Sequence, residues 1–115
     1  MDPLKRLTKK VVAFRNKRNW KQFHNPKDLA LSLVLEATEV MEHFQWKNPQ
    51  EVEEHIKKNK TEISEELADV MYWVLLMSHD LKIDIEKAVD RKLDINDKKY
   101  PVEKAKGKHD KYNKL

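Results

Sequence analysis

The sequence contains no cysteine, one glycine and four prolines in 115 residues, and each shortage excludes a class of structure. Without cysteine there are no disulfides and no thiolate metal ligands, which suits a reducing compartment. So little glycine and proline argues against a sheet with many tight turns. No apolar run approaches the roughly 18 residues of a membrane-spanning helix, and the first residues lack the apolar segment of a secretory signal. We therefore expect a soluble, cytoplasmic protein with no membrane partner.

Charged residues are abundant, at 38%, beside 39% hydrophobic residues. This mixture is typical of amphipathic helices with solvated outer faces. The formal net charge is +4, and three of these charges fall in the Lys-rich segment that follows Pro101. The rest of the chain is therefore nearly neutral, which argues against nucleic acid as a partner. We expect residues 102–115 to be a disordered tail.

Capping signals and apolar periodicity predict four helices and a short extra one. Asp or Asn followed by Pro opens three of them, and Asp84 caps the last. The predicted spans are 3–19, 26–44, a short polar helix over 49–59, 61–82 and 85–99, with Pro101 as the stop. The expected fold is all-α, a four-helix-bundle-like protomer over residues 1–101. Beyond Val70 the long helix is apolar on nearly every side, which predicts burial in a homo-oligomeric bundle.

Two pairs of carboxylates lie one helical turn apart, Glu36 with Glu39 and Glu66 with Asp69. Residues at i and i+3 share a helix face, and both pairs fall at the border of an apolar stripe. A carboxylate there is costly unless it is paired or binds a metal. Ion pairs with lysine would explain one such residue, but two pairs on two helices predict a shared cation.

The residue types decide which cation is expected. Converging carboxylates suit Mg²⁺, with Mn²⁺ as the alternative. Zinc is disfavoured because the histidines lack ligand spacing, and a di-iron site is disfavoured because there is no Glu-x-x-His motif. The five histidines are His24, His43, His55, His79 and His109.

Basic and aromatic residues complete the candidate site. Protein-bound magnesium usually shares its coordination with substrate phosphates. The last helix carries Arg91, Lys92, Asn96, Lys98 and Lys99, although a basic helix end is also favoured by the helix dipole. Aromatic residues in or near the helix connections could stack on a base or fill a core or interface.

Together these residues resemble the all-α nucleoside triphosphate pyrophosphohydrolases of the MazG-like superfamily, and in particular the dCTP pyrophosphatase branch. The family's Glu-x-x-Glu and Glu-x-x-Asp motifs read here as Glu36–Glu39 and Glu66–Asp69. The flanking blocks are RNWKQFH at 18–24, FQWK at 44–47, EELADV at 65–70 and KLDINDKKYP at 92–101. The resemblance runs from about residue 4 to Pro101.

The resemblance implies hydrolysis of a nucleoside triphosphate to the monophosphate and pyrophosphate, with dCTP or a related pyrimidine deoxynucleotide favoured. It implies that the four acids hold Mg²⁺. One of them, or Glu65 or Glu62 beside them, would activate water. It also implies a homodimer or homotetramer whose sites draw on neighbouring subunits.

The same resemblance assigns the substrate-binding residues. Those for phosphate or sugar are Lys92, Asn96 and Lys99; those for the base are Trp20, Trp46 and Trp73, with His24. Trp73 stands where this branch has Tyr, which leaves the choice of base open. Lys99 stands where Arg is usual, which keeps the charge but removes bidentate phosphate binding.

Two functions from other classes fit parts of the sequence. One is a non-catalytic helical module that binds nucleotide or nucleic acid through its basic helix and tail. The other is an interaction protein that uses its tryptophans as anchors. The first predicts that Glu39→Ala and Asp69→Ala are tolerated. The second predicts that no property of the protein depends on Mg²⁺.

Overall fold

The computed structural model describes residues 2–115, and within them every regular element is helical. The all-α prediction is confirmed. The helices are α1 Pro3–Lys17, α2 Pro26–Glu42, α3 Pro49–Asp80, α4 Ile85–Lys99 and the short α5 Val102–Ala105, with 3₁₀ turns at Lys21–Phe23 and Tyr112–Lys114. No helix within residues 2–115 is both long and apolar enough to cross a membrane.

Capping hydrogen bonds confirm the helix starts predicted at residues 3, 26 and 49. The Asp2 carboxylate accepts from the Leu4 N–H at 2.8 Å, and Asn25 caps α2 in the same way. Asn48 forms a reciprocal capping box with Glu51 at the start of α3. The C-terminal ends of α1 and α2 each fall two residues before the predicted ones. For α1, the cause is the left-handed backbone of Asn19, with φ of 55°.

The two helices predicted over 49–59 and 61–82 form one helix, α3, with a kink. Asn59 has φ of −126° and ψ of 28° there. Its side-chain amide donates to the His55 carbonyl at 3.0 Å, which is the kind of local hydrogen bond that bends helices. The predicted break was therefore at the right place, but the chain continues as a helix through it.

The first structural unit ends at Lys82, and α3 is its central element because both α1 and α2 pack against it. Leu29, Leu75 and Leu76 are its fully buried apolar side chains. Many other large apolar side chains are more than half exposed, and on α2 these are Leu31, Val34, Leu35 and Met41. The unit therefore buries a small core and exposes a broad apolar face.

The second unit is Ile83–Leu115. Asp84 caps α4 by accepting from the Lys87 N–H at 3.1 Å, as predicted. After α4, the Tyr112 ring lies 4.8 Å from Lys99 Nζ and contacts Tyr100 edge-on at 6.1 Å. The disorder expected for residues 102–115 stays a prediction, and the segment has a helical turn at α5.

Candidate active site

The four predicted carboxylates meet in space. One oxygen each from Glu36, Glu39, Glu66 and Asp69 can be chosen so that all four lie within 4.8 Å of one another. The first two come from α2 and the last two from α3, and these helices pack directly on each other. The i, i+3 spacing on each helix thus becomes a single four-carboxylate cluster.

The pKa values of two carboxyl groups in this cluster are raised, because the acids are crowded together without a compensating positive charge from the described residues. A hydrogen bond shared with Glu39, burial and three neighbouring carboxylates raise the pKa of Glu66 to about 7. Burial and the adjoining Glu39 also raise the pKa of Glu36. One oxygen of each residue, Oε2, is buried without a hydrogen-bond partner. Such crowded, unpartnered oxygens are the ligands that a hard divalent cation requires, so the residues present fit Mg²⁺.

A second feature is a largely apolar cavity of about 580 Å³ that adjoins the cluster. Its volume is in the range of small-molecule sites, about 300–1,000 Å³. The lining residues are Leu7, Lys10, Val11, Phe14, Trp20, Glu36, Asp69, Tyr72 and Trp73. We call this space the aromatic cavity; it places two carboxylates of the cluster beside a set of rings.

The aromatic rings that line this cavity pack edge to face against one another. The Phe14 ring lies 6.0 Å from both Trp20 and Tyr72, and Tyr72 lies 5.0 Å from Trp73. Trp73 also links the cavity to the cluster, because it lines the cavity beside Glu36. Its side chain partly offsets the rise that burial and Glu39 cause in the pKa of that carboxyl. Trp20 and Trp73 were predicted from the sequence, whereas Phe14 and Tyr72 were read only as apolar helix positions.

His24 lies next to the aromatic cavity rather than among its lining residues. Its ring meets Trp73 edge-on at 5.4 Å, and its Nδ1 lies 3.4 Å from Arg15 Nη1. Burial and then the Arg15 charge lower the pKa of His24, so the ring is neutral at pH 7. This arrangement suits a residue that supports Trp73.

A buried ion pair behind His24 was missed by the sequence analysis. Arg15 is only 1% exposed and donates to both oxygens of Asp80, at 2.7 and 2.9 Å. The sequence does indicate this pair. Arg15 continues the apolar stripe of Leu7 and Val11 on α1. Asp80 continues the apolar stripe of Trp73 and Leu76 on α3. Two opposite charges on facing apolar stripes indicate a buried pair.

Trp46 does not join the aromatic cavity of its own chain. It lies between α2 and α3 in the left-handed region, with φ of 66°, and is 91% exposed. Glu65 and Glu62 are exposed neighbours of the cluster on α3. Lys92, Asn96 and Lys99 belong to α4 in the second unit. The roles of all six residues stay predictions.

A pair of histidines is the other feature that the sequence did not reveal. His43 Nδ1 and His55 Nε2 lie 2.8 Å apart, although the spacing of the histidines along the sequence did not indicate a pair. The pair lines a polar cavity of about 450 Å³ with Glu39, Glu42 and Glu66. The eleven residues between the two histidines include the turn from α2 to α3, and no helical spacing links positions across such a turn.

Comparisons with known proteins agree with this geometry. Residues 31–115 match the model of the MazG-like family. The chain is 36% identical over 104 residues to dCTP pyrophosphatase 1 of Homo sapiens and of Rattus norvegicus, which covers 89% of this chain. It spans 61% of the length of those two relatives. It is also similar to the crystal structure of a pyrophosphatase from Archaeoglobus fulgidus, with a TM-score of 0.83 and 35% identity over 88% of this chain and 94% of that one.

Proposed function

Because this chain belongs to the MazG-like family, we propose that it hydrolyses nucleoside triphosphates to the monophosphate and pyrophosphate. We further propose that the reaction depends on Mg²⁺, with Mn²⁺ as a substitute, and that dCTP or a related pyrimidine deoxynucleotide is the preferred substrate. The observation that carries this proposal is the cluster of four carboxylates, whose oxygens lie within 4.8 Å of one another beside an aromatic cavity.

The proposed roles in the chemistry follow from the cluster. Glu36, Glu39, Glu66 and Asp69 hold the metal ion, which when bound offsets charge on the phosphates. One of these carboxylates, or Glu65 or Glu62, accepts a proton from the attacking water. The water oxygen bonds to the α-phosphorus, the bond from that phosphorus to the α,β-bridging oxygen breaks, and pyrophosphate leaves with the electron pair.

The aromatic cavity is the proposed nucleoside site. Trp20 and Trp73 offer flat apolar faces on which a base can stack, and His24 supports Trp73 from behind. Since Glu36 and Asp69 line the same cavity, a nucleoside bound there would present its phosphates to the cluster. Lys92, Asn96 and Lys99 are proposed to bind phosphate or sugar, by the resemblance to the family's motif.

The proposed assembly is a homodimer or homotetramer. Leu31, Val34, Leu35 and Met41 are 54–64% exposed on α2, and an apolar face of this kind marks an interaction surface. Trp46 is 91% exposed and lies outside the cavity of its own chain. We therefore place it at the nucleoside site of a neighbouring subunit, where its predicted role in binding the base could be met.

Release of pyrophosphate by the full chain tests the activity. With Mg²⁺, dCTP should be hydrolysed, and EDTA should stop the reaction. Glu36→Gln and Asp69→Asn should each lower kcat by roughly 100-fold or more, the scale of losing one electrostatic contact in the transition state. Glu53→Gln, an exposed change on α3, is the matched control, and circular dichroism checks that each variant folds.

The same assay separates the parts of the proposal. Wild-type rates in both acid variants would exclude the catalytic cluster. The non-catalytic module would be favoured if the chain binds nucleotide without hydrolysing it and still binds it in Glu39→Ala and Asp69→Ala. Equal kcat/KM for all common triphosphates would contradict the preference for dCTP and leave the hydrolysis standing.

A further inference from the structure

The single glycine of the chain makes a turn that brings the last residues back to α4. The Ala105 carbonyl accepts from the Lys108 N–H at 2.9 Å, and between them Lys106 has φ of −56° and ψ of 122°. Gly107 follows with φ of 75°. These are the angles of a type II β-turn, whose third residue needs a positive φ and is therefore glycine or asparagine. A Cβ at Gly107 would meet no atom within 4 Å, so the backbone angle alone requires glycine here.

Beyond this turn, Tyr112 lies against the end of α4. Its ring centroid is 4.8 Å from Lys99 Nζ, within the roughly 6 Å of a cation–π interaction. The same ring meets Tyr100 edge-on, with the two centroids 6.1 Å apart. Tyr112 is 43% exposed, so more than half of its surface is covered. Two contacts therefore join a residue close to the C-terminus to residues 99 and 100.

Lys99 is the last member of the set on α4 that is proposed to bind phosphate or sugar. Lys92, Asn96 and Lys99 are spaced i, i+4 and i+7 on this helix, so they share one face. A free lysine side chain samples many rotamers, and ordering it when a ligand binds has an entropic cost. A tyrosine ring carries no net charge. Tyr112 can therefore restrain Lys99 while leaving its positive charge available to an anion.

We propose that Tyr112 is a positioning residue, whose ring holds the Lys99 ammonium group in place to bind a phosphate oxygen of the nucleotide. The ring acts through Lys99 and does not itself touch the substrate. This inference rests on the proposed function, which supplies the triphosphate. Residues 102–115 then form a strap that folds over the end of α4, in contrast to the disordered tail expected from the sequence.

Chemical shifts of the full chain without nucleotide test the contact. The CH₂ protons of Lys99 next to Nζ should be shifted upfield by the ring current of Tyr112. Tyr112→Phe should keep this shift because it keeps the ring, and Tyr112→Ala should remove it. Gly107→Ala should reduce the shift, since alanine resists the positive φ of the turn, whereas Gly107→Asn should retain it. Identical Lys99 shifts in wild type and Tyr112→Ala would overturn the proposal.

Steady-state kinetics with dCTP and Mg²⁺ test the positioning. Tyr112→Ala should raise KM by about two- to fivefold, the scale of one exposed cation–π contact, and leave kcat nearly unchanged. Tyr112→Phe should match the wild type. Asn113→Ala, a change of an exposed neighbour in the same 3₁₀ turn, is the matched control. An equal loss in Tyr112→Phe and Tyr112→Ala would overturn the proposal, because the hydroxyl and not the ring would then be required.

A double-mutant cycle shows whether Tyr112 acts through Lys99. Lys99→Gln alone should raise KM by more than Tyr112→Ala does, and adding Tyr112→Ala to Lys99→Gln should cause no further increase. An unchanged KM in Lys99→Gln, or additive increases in the double variant, would overturn the proposal. Absence of turnover in the wild type would instead refute the proposed hydrolase function. In that case the chemical shifts, and the affinity of the same variants for inorganic pyrophosphate in Mg²⁺, decide this inference.

Discussion

Arg15 on α1 donates to both carboxylate oxygens of Asp80 on α3, at 2.7 and 2.9 Å, from a position that is only 1% exposed. This bidentate pair joins the first helix of the chain to the far end of the helix that carries Glu66, Asp69 and Trp73. It therefore connects the wall of the aromatic cavity with the helix that supplies half of the carboxylate cluster.

Removing one partner of this pair should be strongly destabilising. Arg15→Ala leaves the Asp80 carboxylate without its counter-charge, and loss of one partner of a buried ion pair costs about 3–5 kcal/mol. Urea denaturation followed by circular dichroism measures the change. The double variant Arg15→Met, Asp80→Leu should recover most of the stability, because it leaves no unpaired charge. A loss below about 1 kcal/mol in Arg15→Ala would contradict a buried pair.

The raised pKa of Glu66 predicts how the stability of the metal-free protein changes with pH. The ordinary value is 4.5 and the folded value about 7. Between these two values the unfolded chain has released a proton that the folded chain still binds, so this carboxyl lowers the free energy of unfolding as pH rises from 4.5 to 7. Mg²⁺ should reverse the loss, since it favours the charged form.

Denaturant midpoints between pH 4.5 and 7.5, with EDTA and with Mg²⁺, measure this effect. Glu66→Gln should flatten the metal-free profile and remove most of the stabilisation by Mg²⁺. Glu54→Gln, an exposed change on the same helix, should leave both unchanged. A metal-free profile with the same slope in wild type and Glu66→Gln would show that the carboxyl titrates normally.

Trp73 should influence both the base and the metal. Trp73→Phe keeps a ring in the aromatic cavity but removes the indole N–H. The Trp73 side chain partly offsets the rise that burial and Glu39 cause in the pKa of Glu36, so without the N–H more Mg²⁺ should be needed for half-maximal turnover. Trp73→Ala also removes the stacking face, which is worth about 1–3 kcal/mol per base, and should raise KM for dCTP. Phe23→Ala, at a side chain 64% exposed and outside the cavity, is the control. Identical Mg²⁺ requirements in wild type and Trp73→Phe would refute the link to Glu36.

The exposed apolar face of α2 should be covered in solution by another copy of the chain. Light scattering at micromolar concentration should give two or four times the 13.8 kDa of the chain. Leu35→Glu places a charge on a side chain that is 64% exposed and should lower this mass, whereas Lys58→Glu should not, because it changes only a polar position. A monomer mass for the wild type would exclude the assembly.

The helices and the carboxylate cluster were predictable from local signals. Capping residues at Asp2, Asn25, Asn48 and Asp84 fix where helices begin, because the free backbone N–H groups need acceptors nearby in the chain. The spacing of Glu36 with Glu39 and of Glu66 with Asp69 fixes each pair on one face. Their position at stripe borders then predicts that the two faces meet.

What the sequence did not reveal depends on contacts between distant residues. His43 and His55 meet only because of how α2 and α3 pack across their turn, and no periodicity describes that. The merging of two predicted helices into α3 depends on whether Asn59 bends the helix or ends it. Arg15 and Asp80 are a different case. Both lie on apolar stripes that are visible in the sequence, so their buried ion pair was predictable.

The length of α3 makes the carboxylate cluster sensitive to changes at the distant end of the same helix. Asp80 lies fourteen positions after Glu66, which is about 21 Å along the helix at 1.5 Å per residue. The salt bridge between Arg15 and Asp80 joins α3 to α1 at that distant end. A slide of about 1 Å there would displace the metal-facing oxygens by a similar amount, and misplacement on that scale can cost roughly 100-fold in rate. Variants remote from the substrate could therefore disable turnover while every reacting group remains chemically intact.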